Sequence, residues 1–172
     1  MIRPYRGRLP FIAESAYIDP SAQIIGDVEI GPESSVWMNV VVRGDVNTIR
    51  IGAQTNIQDG TIVHVMRGTH PTSIGDCVTV GHAAVLHGCI VQPRCLIGLA
   101  AILLNGVEVG EGSIVAAGAL LTEGFRVPPR SLVMGRPAIV KRPLSDEEVA
   151  SIDTYWQNYV EYSAEYKKAR DT

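Results

Sequence analysis

Aromatic side chains are scarce in this 172-residue chain. Phe, Trp and Tyr make up 6% of it, although 46% of its residues are hydrophobic. A core with so few rings is filled by Ile, Val, Leu and Ala, which suits a narrow, repetitive β-structure. Positive charge is not in excess either. The net charge is −3 and the pI about 5.8, which argues against a nucleic-acid or anionic-membrane surface. No apolar run approaches the ~20 residues of a membrane span. The opening Met1-Ile2-Arg3-Pro4-Tyr5 lacks the apolar region of a signal peptide. Cysteine is limited to Cys77, Cys89 and Cys95, with no CxxC spacing. These absences predict a cytoplasmic protein with reduced thiols, no nucleic-acid partner and no membrane partner.

What is present is a repeat. Branched apolar residues align at Ile18, Ile24, Ile30, Val36, Val42, Ile51, Ile57, Val63, Ile74, Val80, Leu86, Val91, Ile97, Leu103, Val109, Val115 and Leu121. Most steps are six residues; the exceptions are nine after Val42, eleven after Val63 and five after Leu86. The residue four places on is usually small, as at Ala22, Ser34, Thr55, Ala84 and Ala101. A period of six fits neither an amphipathic helix nor a two-faced strand. It fits a short strand plus a tight turn, three of which close a triangular coil. Glycine follows the apolar position at Gly31, Gly52, Gly75, Gly81, Gly98 and Gly110, where it is expected to take angles that side chains forbid. Seventeen units predict five to six stacked coils. The pattern resembles hexapeptide-repeat proteins, which implies a left-handed parallel β-helix.

The predicted organisation is an N-terminal lead-in over 1–16, the left-handed β-helix over 17–142 and a C-terminal α-helix over 143–172, packed along the prism. The surplus residues near Asn47-Thr48 and between His64 and Ser73 are expected to protrude as loops. Val127-Pro128-Pro129 and Gly135-Arg136-Pro137-Ala138 are expected to end the β-helix, since proline cannot keep donating to a ladder. Ser145 and Glu148 form a capping box. Val149, Ile152, Trp156, Tyr159, Val160 and Tyr166 make one apolar stripe, so this helix is read as a packing element.

The repeat also assigns faces. His64 and His87 each follow the inward residue of units three apart, so they stack in register one coil apart, with Arg43 one coil below. His82 belongs to the neighbouring face, with Asp59 below it and Gln58 beside Asp59. Two stacked imidazoles can share one tetrahedral metal. His82 points off another wall, so it reaches that metal only from another copy of the chain. The prediction is a homotrimer whose metals are each held by His64 and His87 of one chain and His82 of the next. Zinc is the first choice; imidazole also suits iron, cobalt and nickel.

Those histidines, with Val42-Arg43-Gly44-Asp45, Asn56-Ile57-Gln58-Asp59-Gly60, Gly81-His82, Leu86-His87-Gly88-Cys89 and Gly135-Arg136-Pro137-Ala138, resemble the γ-class carbonic anhydrases and their relatives. The resemblance covers nearly the whole chain. It implies a trimer, a metal on His64, His82 and His87, and reversible hydration of CO2 to bicarbonate by a metal-bound hydroxide. Within it, Gln58 would orient the hydroxide or CO2. Arg43 and Asp59 would pair across the interface. Asp45 would join that pair or order a histidine. Two departures stand out. Val46 replaces the glutamate that the best-characterised members carry after this aspartate, and the loop from Val65 to Ser73 has no carboxylate where those members have a longer acidic loop with a shuttle glutamate. His70, with an ordinary pKa of about 6.5, and Tyr159 are the substitute candidates for proton shuttle, and hydration is expected to be slow. The competing readings are an acyl-CoA-dependent acyltransferase using one histidine as general base, a non-catalytic trimer clamped by its metal, and hydrolysis of another small carbonyl substrate such as a thioester.

Overall fold

Most repeat units fold as expected into a strand of two or three residues and a tight turn, and strands three units apart pair in parallel. The computed structural model describes residues 1–170; Asp171 and Thr172 of the predicted C-terminal segment lie outside the described residues. Three faces result. The first stacks Ile12, Ile30, Ile51, Ile74, Val91, Val109 and Val127. The second stacks Ile18, Val36, Ile57, Val80, Ile97, Val115 and Val133. The third stacks Ile24, Val42, Val63, Leu86, Leu103 and Leu121. All these residues except Ile12 and Ile18 are buried, and together they form one continuous apolar core.

The left-handed parallel β-helix class holds, as a solenoid of about 7 turns rather than five to six. The repeat begins at Ile12, inside the expected lead-in, where Phe11–Ile12 pairs with Glu29–Ile30. It also continues past Leu121 through Val127 and Val133. Pro128 and Pro129 do not end it, because they sit in an exposed turn between strands Arg126–Val127 and Ser131–Gly135. There a missing N–H costs nothing. The stack stops one strand later, where Ala138–Pro143 folds back antiparallel on Ser131–Gly135.

The glycines after the inward residues have a different reason from the expected one. None of Gly31, Gly52, Gly75, Gly81, Gly98 or Gly110 has a positive φ. What they supply is clearance. A Cβ on Gly98 would lie 2.5 Å from Ala117 N, one on Gly110 2.5 Å from Pro129 N, both atoms of the next coil. The left-handed angles fall at other corners, several on ordinary residues such as Asn39, Gln54, Ala83 and Ala100.

The two surplus segments meet at one edge of the prism. The first is no free loop. Val41–Ile51 runs as one eleven-residue strand round the corner between the third and first faces. Its extra residues bulge between the pairs Gly26–Gly44 and Val28–Ile49, which carries Asp45 outward. The second surplus turns back on itself through a Met66–His70 bridge. Asn47 Nδ2 donates to Met66 O at 3.0 Å, joining the two.

The C-terminal helix, Asp146–Arg170, packs on the second face. Its capping box closes through Ser145 N–H to Glu148 Oε2 at 2.9 Å and Glu148 N–H to Ser145 Oγ at 3.2 Å. It starts beside Arg130, which pairs with Asp146. It is held about two turns on by Arg94 on Asp153 at 2.7 Å and ends over the first coil, where Tyr166 meets Tyr17 and Trp37. Among the described residues no helix is long and apolar enough to cross a membrane.

Two substitutions test the coil stacking. Ile97→Ala empties a fully buried inward position and is expected to cost about 2–5 kcal/mol. Gly98→Ala adds one methyl yet is expected to lower the urea midpoint at least as far, since backbone of the next coil must move. Equal stability of Gly98→Ala and wild type would refute the clearance reading.

Candidate functional site

The strands Ile62–His64 and Val85–His87 pair so that His64 lies directly against His87. Their rings stand 5.0 Å apart between centroids, with His64 Nδ1 3.1 Å from His87 Nε2. The opposite nitrogens have oxygen partners. His64 Nε2 is 3.0 Å from Asp45 Oδ1, and His87 Nδ1 is 2.8 Å from Asn105 Oδ1. Facing a carboxylate, His64 Nε2 must donate its hydrogen. Asn105 Nδ2 in turn donates to Glu123 Oε1 at 3.0 Å, which leaves Asn105 its carbonyl for His87, so His87 Nδ1 donates as well. With those N–H groups so committed, both rings turn their other nitrogen to the same 3.1 Å gap.

That gap fits a cation. Two ligands at ~2.0–2.1 Å from a tetrahedral centre lie about 3.3 Å apart. A metal-binding imidazole commonly donates its other N–H to a carboxylate or carbonyl, which fixes the tautomer. His82 has the same arrangement on the second face: Nδ1 lies 2.9 Å from Asp59 Oδ2, and Nε2 is left as the free nitrogen. All three candidate ligands thus have one N–H committed and one lone pair available. One chain brings only two of them together. Among its described residues no group of three or more His, Cys, Asp or Glu is arranged to hold a metal.

The surroundings tune these groups. Burial pushes the His64 imidazole below its ordinary 6.5, with Asp45 pulling it up and Arg43 pushing it further down. For Asp45 burial acts upward, but hydrogen bonds from His64 and Arg43 outweigh it and hold the carboxyl below 3.8. Thr72 fixes the backbone between the histidines: its hydroxyl donates to His64 O at 2.5 Å and accepts from Gly88 N–H at 3.0 Å.

The remaining candidates fall in three places. Within one chain Arg43 pairs with Asp45 and Asp59 with His82, so Arg43 and Asp59 are not brought together. Gln58 is buried, its Nε2 donating to Asn56 Oδ1 at 3.0 Å. It lines a groove with His82 and Tyr159 between the second face and the C-terminal helix. Tyr159 packs edge-on against Trp37, and burial together with the charge of Asp59 raises its phenol. His70 lies in the surplus loop, its Nδ1 2.9 Å from Thr69 Oγ1, facing a cavity shared with Asn105 and Glu123.

Asn105 was open to sequence reasoning and missed. The histidine column runs one coil down to Arg43 and one coil up to the turn that holds Asn105. Leu103 stacks on Leu86, so the residues just beyond it had to lie over His87.

Similarity to known proteins is extensive. A family model described as bacterial transferase hexapeptide (six repeats) matches residues 10–44. The chain is 48% identical over 157 residues to gamma carbonic anhydrase 1, mitochondrial, of Arabidopsis thaliana, covering 88% of this chain and 57% of that protein. It thus spans a little over half the length of the plant relative. It is 44% identical over 167 residues to a carbonic anhydrase of Geobacillus kaustophilus, covering 97% of this chain and 91% of the other. Among solved structures, a hexapeptide transferase family protein from Anaplasma phagocytophilum superposes with a TM-score of 0.92 at 40% identity, covering 96% of this chain and 97% of that one.

Acidification should destabilise the metal-free chain in two stages. His64 binds its proton less readily folded than unfolded, so the unfolded chain takes up more protons as pH falls through about 6.5, and stability drops. Asp45 acts in the same direction below 3.8. Thermal melts at pH 7.5, 5.5 and 3.5 check this. His64→Gln should remove most of the first stage and weaken the second, since the His64 hydrogen bond helps hold Asp45 down.

Proposed function

The chain belongs to the γ-class carbonic anhydrase family, and from that premise we propose that it is a metal-dependent carbonate dehydratase interconverting CO2 and bicarbonate. The observation that carries the reading is the shared state of the three imidazoles. Each has one nitrogen tied to Asp45, Asn105 or Asp59 and the other free as a ligand. Around a three-fold axis, the third face of one copy meets the second face of the next, and His64 and His87 are joined by the neighbour's His82. The cation is Zn2+ in the first instance, with Fe2+ or Co2+ as alternatives on the same ligands. Bound there, it supplies a Lewis acid that brings the pKa of water to about 7.

The chain's own residues do the rest. Asp45 and Asp59 hold two of the imidazoles in the binding tautomer. Gln58, anchored by Asn56, orients the reacting water or CO2 from the second face. Arg43 reaches Asp59 of the neighbouring copy and fixes the interface. The proton must leave without shuttle glutamates in the Val65–Ser73 segment, so His70 or Tyr159 carries it and turnover is slow. The three free cysteines, of which Cys89 is buried with its thiol pushed up to about 12 by that burial, support a cytoplasmic setting.

A second reading has its own observation. His82 paired with Asp59 beside an apolar groove of about 410 Å3 is an arrangement that a general base in acyl transfer would use. Against it, His64 and His87 would then face each other lone pair to lone pair with no task.

Metal analysis with stopped-flow CO2 hydration separates these readings. The purified protein should hold about one metal per chain and hydrate CO2 above the buffer rate in its zinc- or iron-loaded form. His82→Ala should lose at least ~90% of that activity and most of its metal. Loaded protein with no hydration would leave the structural-clamp reading, and protection from unfolding by coenzyme A would favour acyl transfer.

A further inference from the structure

We propose that Glu123 is a positioning residue that decides which nitrogen of His87 bears the hydrogen, acting through the side-chain amide of Asn105. The inference rests on the metal-binding reading of His87. An amide can face a histidine with either end. With its carbonyl forward, Asn105 accepts from Nδ1–H and leaves Nε2 as a lone pair. With its NH2 forward, it donates to Nδ1 and drives the hydrogen onto Nε2, the atom directed at His64. Nothing in His87 or Asn105 alone settles the choice. Glu123 biases it toward Nδ1–H, against the pull of the accepting His64 Nδ1 that lies 3.1 Å from His87 Nε2, because a carboxylate only accepts. Its Oε1 takes the Asn105 Nδ2–H at 3.0 Å, which turns the carbonyl toward His87.

The fold builds this contact deliberately. Leu103 stacks on Leu86 and Leu121 on Leu103, and Asn105 and Glu123 each follow by two residues. They occupy the same corner of successive coils, tied by Gly124 N–H donating to Asn105 O at 2.9 Å. The charged neighbours leave Glu123 available. Arg126 is engaged by Glu108 at 2.5 Å, and His70, across the shared cavity, by Thr69. Glu123 itself is exposed, so its substitution does not disturb the core.

The test is the tautomer of His87 in the chelator-stripped full chain, read by long-range 1H–15N correlation on 15N-histidine protein. Zinc affinity, by competition with a chromophoric chelator, is measured alongside. Wild type should show Nδ1–H. Glu123→Lys should invert the amide, move the hydrogen to Nε2 and weaken zinc binding about 10–100-fold. Glu123→Gln still offers an accepting oxygen and should stay within about 3-fold of wild type. Adding Asn105→Asp to Glu123→Lys should restore Nδ1–H, since a carboxylate at 105 accepts from His87 unaided. Glu123→Ala, which forces no inversion, should give a mixture. Wild-type His87 found as Nε2–H, or Nδ1–H retained in both Glu123→Ala and Glu123→Lys, overturns the proposal. The two readings fail separately: absence of zinc binding by wild type defeats the metal reading, whereas the tautomer results decide this one.

Discussion

The parallel ladder between successive coils governs this molecule. Each coil lies one strand spacing, ~4.8 Å, above the last, and its three inward residues seal the layer beneath. Because the inward residues of successive coils pair in register, a side chain's place in the six-residue unit fixes both its face and its height. That is why residues 23 apart in sequence, His64 and His87, come within hydrogen-bonding distance, while His82, five residues from His87, stands on another wall. The same rigidity forbids a third imidazole from joining the pair within one chain.

Much of this was legible in the sequence because a solenoid is nearly one-dimensional. Spacing alone gave the faces, the stacking of His64 on His87 and the placement of Asp59 beneath His82. Where legibility failed, the causes were local. Ile12, Val127 and Val133 keep the six-residue step, but Ile12 falls in the segment expected to be a lead-in and two prolines follow Val127. Pro128 and Pro129 looked like terminators because a sequence does not reveal that they fall in a turn. The glycines were assigned to backbone angles when their purpose is clearance, a property of the neighbouring coil rather than of the glycine. The surplus near Asn47 is part of a continuous bent strand, and it is the bend, not the spacing, that delivers Asp45 to His64.

The candidate site makes the division clearer. Residue types and register identified the imidazoles. Their protonation pattern came only from the hydrogen bonds of Asp45, Asn105 and Asp59, and it is this pattern that turns three histidines into three ligands. Arg43 and Asp59 show the converse: the sequence places them on faces that meet only between copies, and within one chain each takes another partner.

The C-terminal helix has a consequence beyond covering one wall. Stacked repeats touch only their neighbours, so such an array tends to fray from its ends, rung by rung. Here Arg130–Asp146 fastens the helix near the last coil, and Tyr166 against Tyr17 and Trp37 fastens it to the first. The helix is a splint running the length of the stack, and an end coil cannot peel away without detaching it. A row of weakly coupled layers thereby becomes one cooperative body, which keeps the paired histidines in the middle of the stack remote from any loosening tip.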